Sequence, residues 1–99
     1  MRTISRKALK HFWERSEYAD AEQPLRAWFR EASSADWKRP SDVKAAYRSA
    51  SIVGNDRVVF NIAGNKYRIV VRINYAYRVV YVRFVGTHRQ YDRINVREV

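Results

Sequence analysis

The sequence predicts an α+β fold, with amino-terminal helices packed on one face of a mostly antiparallel sheet. Three observations carry that prediction. The stretch from Arg57 to Tyr91 holds three runs rich in valine, isoleucine and aromatics, divided by turn residues, as in an antiparallel meander. The first third of the chain instead spaces its apolar residues at helical intervals. At 99 residues and 46% hydrophobic content, the chain suits one domain, residues 1–99, with one core.

The elements follow in order. Met1 to Ile4 is expected to be a short first strand. Ser5 is placed to cap a helix running to about Arg15, with Ala8, Leu9, Phe12 and Trp13 on its buried side. Ser16 to Asp20 interrupts the period. Asp20 and Gln23 have capping-box spacing, and Pro24 is tolerated in a first turn. Leu25, Trp28, Phe29 and Ala32 then repeat as a second amphipathic helix ending near Ser33-Ser34. The two helices read as an αα-hairpin laid on the sheet. Ser41 is expected to cap a third short helix through Tyr47. Ser51-Ile52-Val53 reads as a short strand before a Gly54-Asn55-Asp56 turn, and Thr87 to Ile94 as a helical turn or loop. The last five residues are expected to fray.

Within the meander, Gly64-Asn65 is a two-residue hairpin signal. Taking it as the loop tip pairs Ile62 with Tyr67 and Phe60 with Ile69. A second loop at Tyr75 to Arg78 pairs Ile73 with Val80 and Val71 with Val82. Side chains alternate along a strand. One face then receives Val58, Phe60, Ile62, Tyr67, Ile69, Val71, Ile73, Val80, Val82 and Phe84, and forms the core. The other receives Arg57, Val59, Asn61, Lys66, Arg68, Val70, Arg72, Tyr81, Arg83 and Val85, a cationic floor on which Arg83 faces Val70. A slip of one residue would bury the arginines, so the pattern fixes its own register.

Charge points to the partner. The formal net charge is +10, which suits a polyanion such as nucleic acid, or an acidic protein. Residues 1–47 carry ten Lys/Arg against seven Asp/Glu, and residues 48–99 ten against three, so the excess lies on the sheet half. With no cysteine, disulfides, thiolate nucleophiles and cysteine-ligated metals are excluded. His11 and His88 are the only histidines, too few for a histidine-rich metal site. No apolar run matches a signal peptide or a membrane span, and a soluble cytoplasmic protein is expected. There is no pair of carboxylates spaced for metal-dependent hydrolysis and no glycine-rich phosphate loop.

The candidate site is the floor and the loop beyond it. Arg57, Lys66, Arg68, Arg72 and Arg83 share a face, where like charges repel unless an anion lies between them. A solvated surface would show charge too, but clustering on one strand face favours an anion site. Directly after the last strand comes Gly86-Thr87-His88-Arg89-Gln90-Tyr91. There His88 can move a proton near neutral pH, and Tyr91 can stack on a base or bond a phosphate oxygen. Trp13, Trp28 and Phe29 sit at core spacing, and Trp37 lies in a connector.

The opening M-R-T-I-S-R-K-A-L, the segment K44-A-A-Y-R-S-A-S, the G64-N-K-Y-R strand start and the F84-V-G-T-H-x-x-Y-D92 end together resemble HigB-type toxins of the RelE superfamily, over nearly the whole chain. The resemblance implies a small α/β toxin and an mRNA endonuclease acting on the translating ribosome, with no cofactor or metal. Its partners would be mRNA, the ribosome and a HigA-like helix-turn-helix antitoxin. It further implies that the RNA 2′-hydroxyl attacks the adjacent phosphate, giving a cyclic phosphate and a free 5′-hydroxyl. On that basis Arg68 and Arg83 are assigned to the phosphate. Lys66 is a phosphate ligand or, if its pKa is depressed, a base. His88 is the acid for the departing 5′-oxygen, and Tyr91 positions base or phosphate. Arg57, Arg72 and Arg89 guide the RNA. The same scaffold also serves ParE-like gyrase inhibitors, and a non-catalytic nucleic-acid-binding module is a further alternative.

Overall fold

The computed structural model describes residues 1–99. Its elements are β1 (Arg2–Ile4), α1 (Arg6–Trp13), a 3-10 helix (Ser16–Ala21), α2 (Glu22–Ser34), α3 (Pro40–Ala46), β2 (Ser51–Val53), β3 (Arg57–Ile62), β4 (Tyr67–Asn74), β5 (Val79–Thr87) and α4 (His88–Tyr91). The five-stranded sheet has the order β1-β5-β4-β3-β2. Only β1 joins in parallel, against β5; every other pair is antiparallel. The expected α+β architecture is therefore present.

Helix ends follow local chemistry. The Ser5 hydroxyl accepts the Ala8 amide at 3.3 Å and starts α1. Helix α2 begins after Ala21 with no side-chain cap, so the expected Asp20–Gln23 capping box is absent. Asp20 is engaged instead by Lys66 and Tyr67 of the sheet. Helix α3 starts after Arg39 with no side-chain cap, so Ser41 does not cap it, and it carries Pro40 in its first turn, where a missing amide proton costs nothing.

The core lies between the helices and one sheet face. Leu9, Phe12, Trp13, Leu25, Trp28 and Ala32 from the helices meet Val58, Phe60, Ile62, Tyr67, Ile69, Val71, Ile73 and Val80 from the strands. Trp37, from the connector, belongs to it too. Its ring lies 6.0 Å from that of Phe60, nearly parallel.

The expected pairings of β3 with β4 all hold, and Ile73 faces Val80 and Val71 faces Val82 as expected. Beyond that point β5 departs. A bulge between Val70 and Val71 brings Phe84, not Arg83, opposite Val70, and sets Val85 against Ile69. Phe84 therefore leaves the core face and Val85 joins it, packed on the helical cluster. The bulge inserts one residue, which reverses the alternation for the rest of the strand.

The second face is less open than the alternation implies. Val59 and Val70 are buried there without belonging to the helical core. The segment after β5 folds back over this face: Arg57 donates to the Val99 carbonyl oxygen at 3.2 and 2.7 Å, and Asn55 to Arg97 at 3.4 Å. The last five residues are thus docked, not frayed.

Candidate RNA-cleavage site

The site is assembled at the end of the sheet where β4 begins and β5 stops. The Thr87 hydroxyl accepts the Gln90 amide at 3.1 Å, and the Gln90 side chain accepts the Thr87 amide at 2.9 Å. This reciprocal cap turns a single helical turn, α4, sharply off the strand. Gln90 also donates to the Tyr18 hydroxyl at 3.1 Å. Tyr18 stacks on Phe12 with ring centres 4.3 Å apart, and both rings meet Tyr67 edge-on. Helix α4 is therefore keyed to the helical layer through one side chain, while Tyr91 reaches the opposite sheet face.

There the Arg68 guanidinium lies 4.6 Å from the centre of the Tyr91 ring, a cation–π geometry that fixes both groups. The buried Nε of Arg68 has no acceptor. Gly86 faces Arg68 across the ladder, and a Cβ there would fall 2.6 Å from the Phe84 ring and 2.7 Å from the Gln90 side-chain oxygen. The glycine is required by close approach.

His88 opens α4, half exposed, with its Nδ1 3.4 Å from the Asp92 carboxylate. The carboxylate engages one ring nitrogen, so Nε2 is the one left to exchange a proton with a substrate. Lys66 sits at the β3–β4 turn in an ion pair with Asp20, which also accepts the Tyr67 hydroxyl. The hydrogen bond that Lys66 donates to the Asp20 carboxylate holds the lysine pKa above its ordinary value. Reciprocally, Lys66 and then Tyr67 hold the Asp20 carboxyl below the usual carboxylate range. The condition for Lys66 to act as a base, a depressed pKa, is not met, because its neighbour is an anion rather than a cation.

Of the other expected residues, Arg57, Arg72 and Arg83 belong to the strands and Arg89 to α4. Arg83, at the bulge, joins Arg72, Asn74 and Tyr81 around a concavity of about 200 Å³. Arg57 is buried, its guanidinium given to the carbonyls of Val99 and Asn55. It holds the chain together rather than facing solvent. Arg89 is exposed on α4 with no acidic partner. The structure thus joins Arg68 with Tyr91, and Arg72 with Arg83, and sets His88 at the strand end.

Sequence reasoning passed over Asp92, Asp20, Gln90 and Tyr18. The four-residue spacing from His88 to Asp92 was a usable signal once a helical turn was expected there. Asp20 and Tyr18 meet the site only through tertiary packing.

Residues 21–94 match the family model for HigB toxin, a RelE-like toxic component of a toxin-antitoxin system. The chain belongs to the HigB toxin family. Among curated relatives, the mRNA interferase toxin HigB of Escherichia coli strain K12 is 31% identical over 94 residues, covering 93% of this chain and 88% of the relative. The mRNA interferase HigB proteins of Escherichia coli O157:H7 and Shigella flexneri match to the same extent. The matched span runs from Ala21 through α4, so in this HigB-family chain it includes Lys66, Arg68, Arg72, Arg83, His88 and Tyr91, while Tyr18 and Asp20 precede it.

Proposed function

We propose that this chain is the mRNA interferase of a toxin-antitoxin pair, an endoribonuclease that cuts mRNA on the translating ribosome without a metal. The observation that carries the reading is the Arg68–Tyr91 stack at the strand end from which α4, opened by His88, departs. A half-buried guanidinium at a strand end, with no acidic partner, suits a phosphate oxygen, which accepts strong charge-assisted bonds.

In the reaction the RNA 2′-oxygen attacks the adjacent phosphorus, and its proton passes to water. The bond to the 5′-oxygen breaks, leaving a cyclic phosphate on one fragment. His88, protonated, gives its proton to the departing 5′-oxygen, which becomes a free hydroxyl. Arg68 neutralises charge that grows on the non-bridging oxygens, and Arg83, further along the strand beside Arg72, holds the RNA rather than the breaking bond. Lys66, held protonated by Asp20, contributes positive charge rather than proton abstraction. Tyr91 orients Arg68 and offers its hydroxyl to the phosphate. Arg72 and Arg89 guide the strand, and Arg57 acts from beneath by anchoring the carboxyl-terminal segment. The antitoxin is a HigA-like helix-turn-helix protein that masks the basic face or prevents entry to the ribosome.

The test is to map the 5′ ends of transcripts after induction, with and without active translation. Cleavage only during translation is expected. Arg68→Ala should lower cleavage about 10²–10³-fold, the cost of losing one transition-state donor, and His88→Ala should lower it about 10²–10⁴-fold. Both variants should still bind the antitoxin. Wild-type protein that arrests growth with no cut transcripts would refute the reading.

A further inference from the structure

The concavity between β4 and β5 is lined by none of the residues placed at the breaking bond, Arg68, His88 and Tyr91. Its lining comes from the middle of the ladder. Arg72 and Tyr81 are direct cross-strand partners, and Asn74 pairs with Val79 at the next position on that face. Arg83 is the extra residue of the bulge. Without the bulge, Arg83 and Phe84 would point to opposite faces. With it, Phe84 turns over Gly86 and Arg83 remains beside Arg72 and Tyr81. Bulges re-aim side chains in this way next to functional sites.

The lining is chemically one-sided. Arg72 and Arg83 are exposed, and neither takes part in the ion pairs of the molecule, which are Arg15–Glu17, Arg26–Glu22, Lys66–Asp20, Arg78–Asp36 and His88–Asp92. The Asn74 side-chain oxygen already accepts the Tyr77 amide at 3.1 Å, so its NH₂ group is the part left to bond a ligand. Tyr81 is 38% exposed, a large apolar ring on an otherwise charged face. Two guanidiniums, an amide donor and an aromatic ring meet with no carboxylate among them. The space of about 200 Å³ equals roughly six or seven waters at ~30 Å³ each, enough for a phosphate and part of a nucleoside.

We infer that Arg72, Asn74, Tyr81 and Arg83 form a second nucleotide subsite, which holds one phosphate of single-stranded RNA between the arginines and stacks its base on Tyr81. Stacking platforms beside cationic grooves are how proteins hold single strands. The subsite rests on the proposed RNA cleavage for its purpose, since it positions the strand that Arg68 and His88 cut. Arg83 lies three positions before Gly86, the partner of Arg68. At ~3.3 Å per residue that is on the order of 10 Å, or about three stacked nucleotides at ~3.4 Å each. The subsite therefore reads a flanking nucleotide, not the scissile one.

The experiment has two arms, both on the full chain. In the first, binding of a short 2′-deoxy-substituted RNA, which cannot be cleaved, is measured against salt. Arg72→Ala should lower the slope of log affinity on log salt by about 0.7, one phosphate contact on a single strand. Tyr81→Leu should weaken binding about tenfold or more, and Tyr81→Phe should restore it. The oligonucleotide should also bind far more tightly than inorganic phosphate. In the second arm, cleavage is followed on ribosomes programmed with a synthetic mRNA. Tyr81→Leu should raise KM about tenfold and change kcat less than threefold. Wild-type affinity and slope in both Arg72→Ala and Tyr81→Leu would overturn the subsite, even with cleavage intact. Equal binding of phosphate and oligonucleotide would overturn it as well. Absence of cleavage by the wild type would count against the proposed function alone, because the binding arm reads the subsite without it.

Discussion

Two residues show how little space the site leaves. Gly86 has no side chain because the Phe84 ring and the Gln90 carboxamide occupy the place of its Cβ. Gly86→Ala should therefore destabilise the fold by ~1–3 kcal/mol and cut activity further, since Gln90 must move and α4 with it. Chemical denaturation alongside cleavage assays separates the two effects. Lys66 makes the opposite case. Its partner Asp20 keeps it cationic, so Lys66→Arg should retain activity within a few-fold and leave the pH–rate profile unchanged. A proton-abstracting lysine would tolerate neither, because arginine does not deprotonate in proteins. The sequence showed both positions inside a recognisable motif. It showed neither the ring over Gly86 nor the carboxylate on Lys66, which depend on segments distant in the chain.

At the level of the element, the register of β3, β4 and the first half of β5 was legible because alternation and turn chemistry agree. Gly64-Asn65 does sit at the tip, closed by the Lys66 amide on the Ala63 carbonyl at 3.3 Å. The positive φ angles, however, fall on Ala63 and Gly64, at 53° and 68°. A left-handed alanine is strained by ~1–2 kcal/mol, and glycine would return ~0.5–1 kcal/mol of that as backbone entropy. Ala63→Gly should thus raise stability by about 0.5–1 kcal/mol, measurable as a higher denaturation midpoint. The bulge in β5 was not legible, because either register of Phe84 and Val85 puts an apolar residue on the core face. Hydrophobicity alone does not choose between them, and packing of Val85 against the helices does. Helix α4 depends on its cap. Thr87→Ala should cost ~1 kcal/mol of stability and lower cleavage while leaving Arg68 in place.

Across the whole molecule, the helical layer and the sheet end are tied by a charged junction at Asp20, alongside the Gln90–Tyr18 hydrogen bond. Asp20, from the 3-10 helix, takes the Lys66 ammonium and the Tyr67 hydroxyl, both from the sheet. It sits directly beneath the site, next to the Phe12–Tyr18–Tyr67 rings. The expectation of a capping box failed here because the carboxylate found partners in another layer, which no local pattern shows. The junction makes stability depend on pH at both ends. Asp20 has a lowered pKa in the fold, so its contribution is present above the unfolded carboxyl value near 3.9 and is lost as pH falls through the folded value. Lys66 has a raised pKa, so its contribution is complete below the unfolded ammonium value near 10.4 and is lost as pH rises through the folded one. Burial, followed by Asp20, raises Tyr67 as well, which adds to the alkaline loss. Asp20→Asn removes the charge that links these groups. Its denaturation midpoint should fall relative to wild type at neutral pH and converge with it in strong acid, where the wild-type carboxyl is itself neutral. Midpoints that differ by the same amount at pH 7 and pH 2 would show that Asp20 acts through shape alone, and the two layers would then be held by the apolar core without this junction.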